Sequence, residues 1–180
     1  VAAVSTFKNA ARDAVETNQK FKVVFSGVEQ QAEKMAKSLS EAFDLSGTTA
    51  KKLLSDTGNL LIGFGMTEEA ALKMSFSINT IAQDLVSFTN YSGGTEAAAQ
   101  ALTSAMTGNT RAAKSLGIVI RQENEDFRNR VKYLQENNGL TQQAATSTAI
   151  YEQIVQQTKK SVGDYARTHD QLANTERRRQ

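Results

Sequence analysis

The residues able to move a proton, attack a carbonyl or hold a metal are few and scattered in this chain. Its one histidine, His169, stands beside Asp170 and four residues after Tyr165. A nucleophile–base pair needs a histidine or a matched carboxylate facing an activated hydroxyl. A lone histidine on a polar helix reads instead as a surface side chain. Glu123, Glu125 and Asp126 form an acidic cluster. Glycoside hydrolysis needs two carboxyl groups on opposed sides of a sugar, and three neighbours at one helix start are better explained by the positive end of the helix dipole. Asp164, directly after Gly163, suits a helix cap and has no metal-ligand set near it. One histidine rules out any site needing two imidazoles, and the absence of cysteine excludes disulfides and thiolate metal sites. Gly63-Phe64-Gly65 and Ser92-Gly93-Gly94 lack the Lys-Ser/Thr that a phosphate loop requires. The expectation is no catalytic residue, no cofactor and no metal.

Charge adds little by its total. The net charge is +2, which predicts neither nucleic-acid nor membrane binding. The basic run Arg177-Arg178-Arg179 reads as a solvated helix end. No stretch reaches the roughly 18 to 20 apolar residues of a membrane-spanning helix; the longest candidate, Leu60 to Met66, is short and carries two glycines. The start lacks the charged-then-apolar layout of a signal peptide. It begins at Val1 in the middle of a helical pattern, which suggests a fragment of a longer chain.

The elements that would position any site are predicted to be helices throughout. Proline, which costs roughly 3 kcal/mol inside a helix, is absent. The fold expected is all-α: a long N-terminal coiled-coil-like helix over 1–43, a compact multi-helix domain over 44–168 and an exiting polar helix over 169–180. The first segment carries apolar residues in alternating steps of three and four, at Val4, Phe7, Ala11, Ala14, Asn18, Phe21, Phe25, Val28, Ala32, Met35, Leu39 and Ala42. Only Asn18 is polar. This 3.5-residue repeat keeps one seam towards a partner helix, and a lone Asn in it can set register. Ala10, Val15 and Val24 widen the stripe, which suits three or more helices better than two and favours a trimer. The competing reading is a helix folded back on its own domain, and Gly27 permits a break near Ser26-Gly27. Unbroken, the helix would span roughly 65 Å at about 1.5 Å per residue.

Ser46 reads as the N-cap of a helix over about 47–63, with Gly58, Gly63 and Gly65 softening its order. Thr67-Glu68-Glu69 starts the next, running through Leu85 to about Phe88. Thr95-Glu96 opens an alanine-rich helix that stops near Gly108. A short helix over 110–116 ends at Gly117, and Ile118-Val119-Ile120 reads as an extended link plugging the core. A charged helix over 123–135 is followed by one capped by Thr141 and running to about Val162. Gly163 breaks it, and a last polar helix begins near Arg167. Leu85, Phe88, Leu102, Leu116, Ile118 and Ile154 are the residues expected to pack the domain.

Five blocks then appear in order: Gly65-Met66-Thr67-Glu68-Glu69-Ala70, Asp84-Leu85-Val86-Ser87-Phe88-Thr89-Asn90, Ala101-Leu102-Thr103-Ser104-Ala105-Met106-Thr107-Gly108, Lys114-Ser115-Leu116-Gly117-Ile118-Val119-Ile120, and Gln157-Thr158-Lys159-Lys160-Ser161-Val162-Gly163-Asp164-Tyr165-Ala166-Arg167-Thr168. Through them the chain from about Phe43 to Thr168 resembles the conserved core domain of phage and prophage tail tape measure proteins. It departs from the family at Asn109, where a glutamate is usual, and at Val86, where a smaller residue is usual. The resemblance implies a structural virion protein that sets tail length inside the tail tube and is expelled with or before the DNA. It implies residence in the tail lumen, and in the host cytoplasm during assembly. The partners implied are further copies of the chain, the tube protein, tip or hub proteins and a tail assembly chaperone, with no sequence-specific nucleic-acid binding. Two alternatives remain open: a membrane-active element of a DNA conduit across the host inner membrane, and a cell-wall hydrolase.

Overall fold

The computed structural model describes the backbone of residues 2–179 and the side chains of residues 6–171. All its regular elements are helical, and no strand occurs among the described residues. The order is α1 Ala2–Val24, a 3-10 turn Ser26–Val28, α2 Glu29–Phe43, α3 Gly47–Gly63, α4 Glu68–Thr89, α5 Gly94–Met106, α6 Arg111–Lys114, α7 Glu125–Asn138, α8 Gln142–Gln157 and α9 Asp164–Arg179.

Several boundaries follow from local chemistry read directly off the chain. Ser46, Thr67 and Thr141 each adopt the extended backbone of an N-cap and accept from the amide three residues on, at Thr49, Ala70 and Ala144. Each of these bonds satisfies an amide that the first helical turn cannot. Asp44 and Asn90 close α2 and α4 in the left-handed region, at φ 52° and 51°, a conformation that short polar side chains tolerate.

The expected unbroken helix over 1–43 does not form. Its seam is severed at Phe25, where α1 ends, and the chain re-enters α2 at Glu29 after the 3-10 turn. The cause lies in α3. Phe21 and Phe25 are fully buried, with rings edge to face at 5.4 Å, in a cluster with Ala32, Leu39, Ala50, Leu54 and Leu72. Burying both rings against α3 and α4 requires the chain to turn there, and the bare Gly27 leaves room for Glu68, whose Oε2 would lie 3.0 Å from a Cβ at that position. The Gly27 amide then donates to Glu68 Oε2 at 2.6 Å. The seam residues Phe21, Phe25 and Leu39 are therefore covered by the chain's own helices, with Val28 and Met35 half-buried beside them. Asn18 likewise fixes no partner register. Its Oδ1 accepts from Lys51 Nζ at 2.9 Å, and the same ammonium reaches Glu33 at 2.7 Å and lies over the Phe21 ring. Val4 lies outside the residues whose side chains are described.

Gly58 had suggested a soft boundary, yet α3 runs straight through it. Its role is steric. A Cβ at Gly58 would lie 2.8 Å from Phe25 Cε1 and closer still to Cζ, so the missing side chain is the slot that holds the ring.

A second, larger cluster fills the space among α3, α4, α5, α7 and α8. It takes Leu85, Leu102, Leu116, Ile118 and Ile154, all buried as expected. Phe88 is the exception, 54% exposed. It sits in the last turn of α4, just before the cap at Asn90, where no neighbouring element closes over it. The link at 118–120 is extended, with Ile118 and Ile120 buried and Val119 turned outward. Helix α8 stops at Gln157 and not near Val162; in the turn that follows, the Thr158 hydroxyl donates to the Ile154 carbonyl and the Ser161 hydroxyl to the Thr158 carbonyl, each at 2.8 Å.

Replacing Gly58 by alanine improves helix propensity by about 1 kcal/mol but overpacks the Phe25 slot, which costs about 1–3 kcal/mol. Chemical denaturation of Gly58→Ala should show a net loss, and Phe25→Leu in the same chain should recover part of it. A midpoint above that of the parent would show that the ring is not locked there. Leu85→Ala and Leu116→Ala should each cost about 2–5 kcal/mol; an unchanged midpoint would contradict their packing.

Candidate functional site

The first and last helices have opposite character. Helix α9 is anchored. Asp84 is almost completely buried in α4. Its carboxylate accepts from the Gly163 amide at 2.8 Å and the Tyr165 amide at 3.3 Å. A negative group placed on unpaired first-turn amides is a helix cap supplied from another helix. Asp164, expected to be that cap, is instead the first helical residue, where its carboxylate accepts from Ser87 Oγ at 2.9 Å and from Arg167 at 3.2 Å. Tyr165 completes the anchor by donating to the Phe43 carbonyl at 3.1 Å, with its ring edge against the Phe43 ring. The last helix thus starts at Asp164, three residues before the expected Arg167, and its first turn is docked onto both α4 and α2. The side chains of Arg177 to Arg179 lie outside the described ones.

Helix α1 is the reverse. Phe7 is 78% and Val15 57% exposed, and Ala10 and Ala11 are open as well. The stripe is half-covered by the start of α3 at Ala14 and Asn18 and fully buried only from Phe21 onward. The apolar periodicity therefore serves two ends. Its second half packs the body, and its first half carries an apolar face that the body leaves uncovered.

The residues singled out for chemistry are not brought together. His169 stacks on the Tyr165 ring, with centroids 5.9 Å apart. It lines a shallow groove with Ser87, Asn90 and Thr168, but the Ser87 hydroxyl is committed to Asp164. Glu123, Glu125 and Asp126 are exposed at the start of α7. Among the described residues, no group of three or more acidic or histidine side chains is placed to hold a metal. No helix among them is long and apolar enough to cross a membrane, and in the Leu60 to Met66 run Leu61 and Met66 are buried in the larger cluster. Compared with protein-family models, with curated proteins and with solved structures, the chain matches none.

One arrangement escaped sequence reasoning. Two glutamines a turn apart on α8 grip the extended link by its backbone. Gln157 accepts from the Val119 amide at 3.0 Å and donates to its carbonyl at 2.9 Å; Gln153 does the same for Arg121, at 3.1 and 3.4 Å. The i, i+4 spacing on the helix matches the i, i+2 spacing of the strand-like link. Glutamines on an exposed helix face give no signal of this by themselves. An extended apolar run with no strand to pair with does, since its amides must find partners somewhere.

A charged ladder ties α1, α3 and α5 at the surface. Lys20 and Lys52 both bond Asp56, and Lys52 reaches Glu96 at 2.7 Å. Partial burial pulls the Asp56 carboxyl upward, but the hydrogen bonds from Lys20 and Lys52 outweigh it and hold the group below its ordinary value. The bonds to Glu96 and Asp56 hold Lys52 above its own. A depressed carboxylate stabilises the fold fully above its unfolded pKa and loses that contribution as pH falls through its folded value. The raised lysine contributes below its unfolded pKa and loses its share only as pH rises through its folded value.

Asp56→Asn should therefore be less stable than the parent at neutral pH and converge with it as pH falls below the ordinary carboxylate range. A stability gap independent of pH would overturn the ladder. Asp84→Ala should leave two amides without a partner, at about 1–3 kcal/mol. It should also speed hydrogen exchange in α9 ahead of the rest of the body, whereas uniform exchange would show that the cap does not hold this helix.

Proposed function

We propose that this chain is part of a structural virion protein of a phage tail, acting as length ruler and assembly scaffold within the tube and leaving with the DNA. The reading rests on the five ordered blocks that resemble tape measure proteins and on an all-helical chain. The observation that carries it is the uncovered apolar face of α1 at Phe7, Ala11 and Val15, on a helix of 23 residues. Such a helix is roughly 35 Å long and leaves the body with a heptad stripe that copies of the chain can share, as a trimer in this proposal. Its other partners would be the tube, the tip or hub proteins and an assembly chaperone, its place the tail lumen, and its role structural, not catalytic. No observation favours the membrane-active or hydrolase readings over this one.

The test is a length series. Four whole heptads inserted between Ala11 and Arg12 of the intact phage gene preserve the stripe and leave Asn18 onward untouched. Insertion within α2 would instead part Leu39 from Phe43 and open the core. Tails lengthened by about 42 Å, at 1.5 Å per residue, would support a ruler. Tails of unchanged length, seen by electron microscopy, would make this segment a docking domain and end the ruler reading.

A further inference from the structure

The near-neutral total conceals a segregation of charge. Residues 97–122 and 153–163 hold five cations, Arg111, Lys114, Arg121, Lys159 and Lys160, and not one acidic residue. Setting those five aside, the other sixteen of the 21 basic residues face 19 acidic ones, so the remainder of the molecule is net −3. The fold brings the link at 119–121 of the first stretch against the helix that leads into the second. The Ile118 amide donates to the Ala113 carbonyl at 3.0 Å, seating the extended link beside α6, and Gln153 and Gln157 seat it on α8. Lys159 and Lys160 leave α8 two and three residues beyond Gln157. All five cations are exposed, and none forms a salt bridge among the described residues. The acidic start of α7, after Arg121, borders the patch on one side.

We infer that this face binds the phosphate backbone of duplex nucleic acid without regard to sequence, an inference independent of the tail reading. Unpaired lysines and arginines neutralise phosphates and release counterions. Exposed amide groups such as Asn109 and Gln156 add the backbone-positioning contacts typical of such surfaces. Neither stretch contains an aromatic residue. That removes the stacking platforms on which single strands are held and the aromatic anchors common at protein interfaces. Val119 and Val162 are the exposed large apolar side chains of the two stretches, too little to insert into a bilayer.

The experiment is fluorescence anisotropy of the whole chain with a 20-base-pair duplex of arbitrary sequence. Binding should be clear at low salt, weaken to roughly 1–100 µM near physiological salt, and give a log–log salt slope no steeper than about −4.5 for at most five phosphate contacts. Reversal of Arg111, Lys114 and Lys159 to Glu should weaken it at least tenfold, while reversal of Lys8, Lys34 and Lys37 to Glu, an equal change in net charge, should weaken it less than twofold. Circular dichroism checks that each variant is folded, and the same three patch residues changed to Gln serve if the first set is not. No binding at low salt, equal loss from the two sets, or tighter binding to anionic phospholipid vesicles or polyglutamate than to the duplex would each overturn the proposal.

Discussion

Helix α4 is the constraint around which the rest is arranged. It is covered by α3 and α5 along its length, by α2 and α9 at either side, and most of its residues from Ala71 to Leu85 are buried. A helix enclosed in this way would be expected to be apolar all round. Instead it carries Ser75, Asn79, Gln83 and Asp84 inside the protein, and each of these has to be answered by a neighbour. Ser75 donates to the Leu54 carbonyl at 2.7 Å and Asn79 to the Leu53 carbonyl at 3.2 Å, so α3 is fixed in register against α4 by side chain to backbone bonds. Gln83 accepts from Thr95 at the start of α5, and Asp84 receives the amides of α9. The polar row names the neighbour at each level, which a purely apolar helix would not do. One atom, Asn79 Oδ1, has no partner among the described residues.

The same row separates two apolar clusters. Leu54 and Leu72 face the cluster with Phe21 and Phe25, while Leu53, Ile78 and Leu85 face the larger one. The first is closed by the Phe25 ring in the Gly58 slot, so the place where α1 must end is decided thirty-three positions away in α3. Lys51 strengthens that closure by serving α1 and α2 from α3 at once.

This explains what was legible in the chain and what was not. Caps at Ser46, Thr67 and Thr141 depend on residues three positions apart, and the absence of proline acts at every position, so the helical class and several of its starts could be read locally. The heptad stripe was legible as a stripe, but its partner was not: Phe21 and Phe25 look the same whether the covering helix belongs to another copy or to α3. Phe88 looked like core because it continues the spacing of Leu85, and only the end of the helix and the lack of a neighbour expose it. Asp84 gave no hint of capping α9, since the two lie about eighty residues apart. The charge patch was hidden for a related reason, since a total near zero says nothing about how the fold sorts its signs.

The two ends of the chain therefore respond differently to force or to a partner. Loosening α9 requires its amides to leave the Asp84 carboxylate and Tyr165 to leave the Phe43 carbonyl, so the body is disturbed together with the terminus. The part of α1 before Ala14 can associate or bend with only its exposed face at stake, because coverage by α3 begins at the half-buried Ala14, Thr17 and Asn18 and is complete at Phe21. Any assembly through α1 thus leaves the core intact, and any signal through α9 reaches α4 directly. That asymmetry leaves an open apolar face on one terminal helix and couples the other to the folded body.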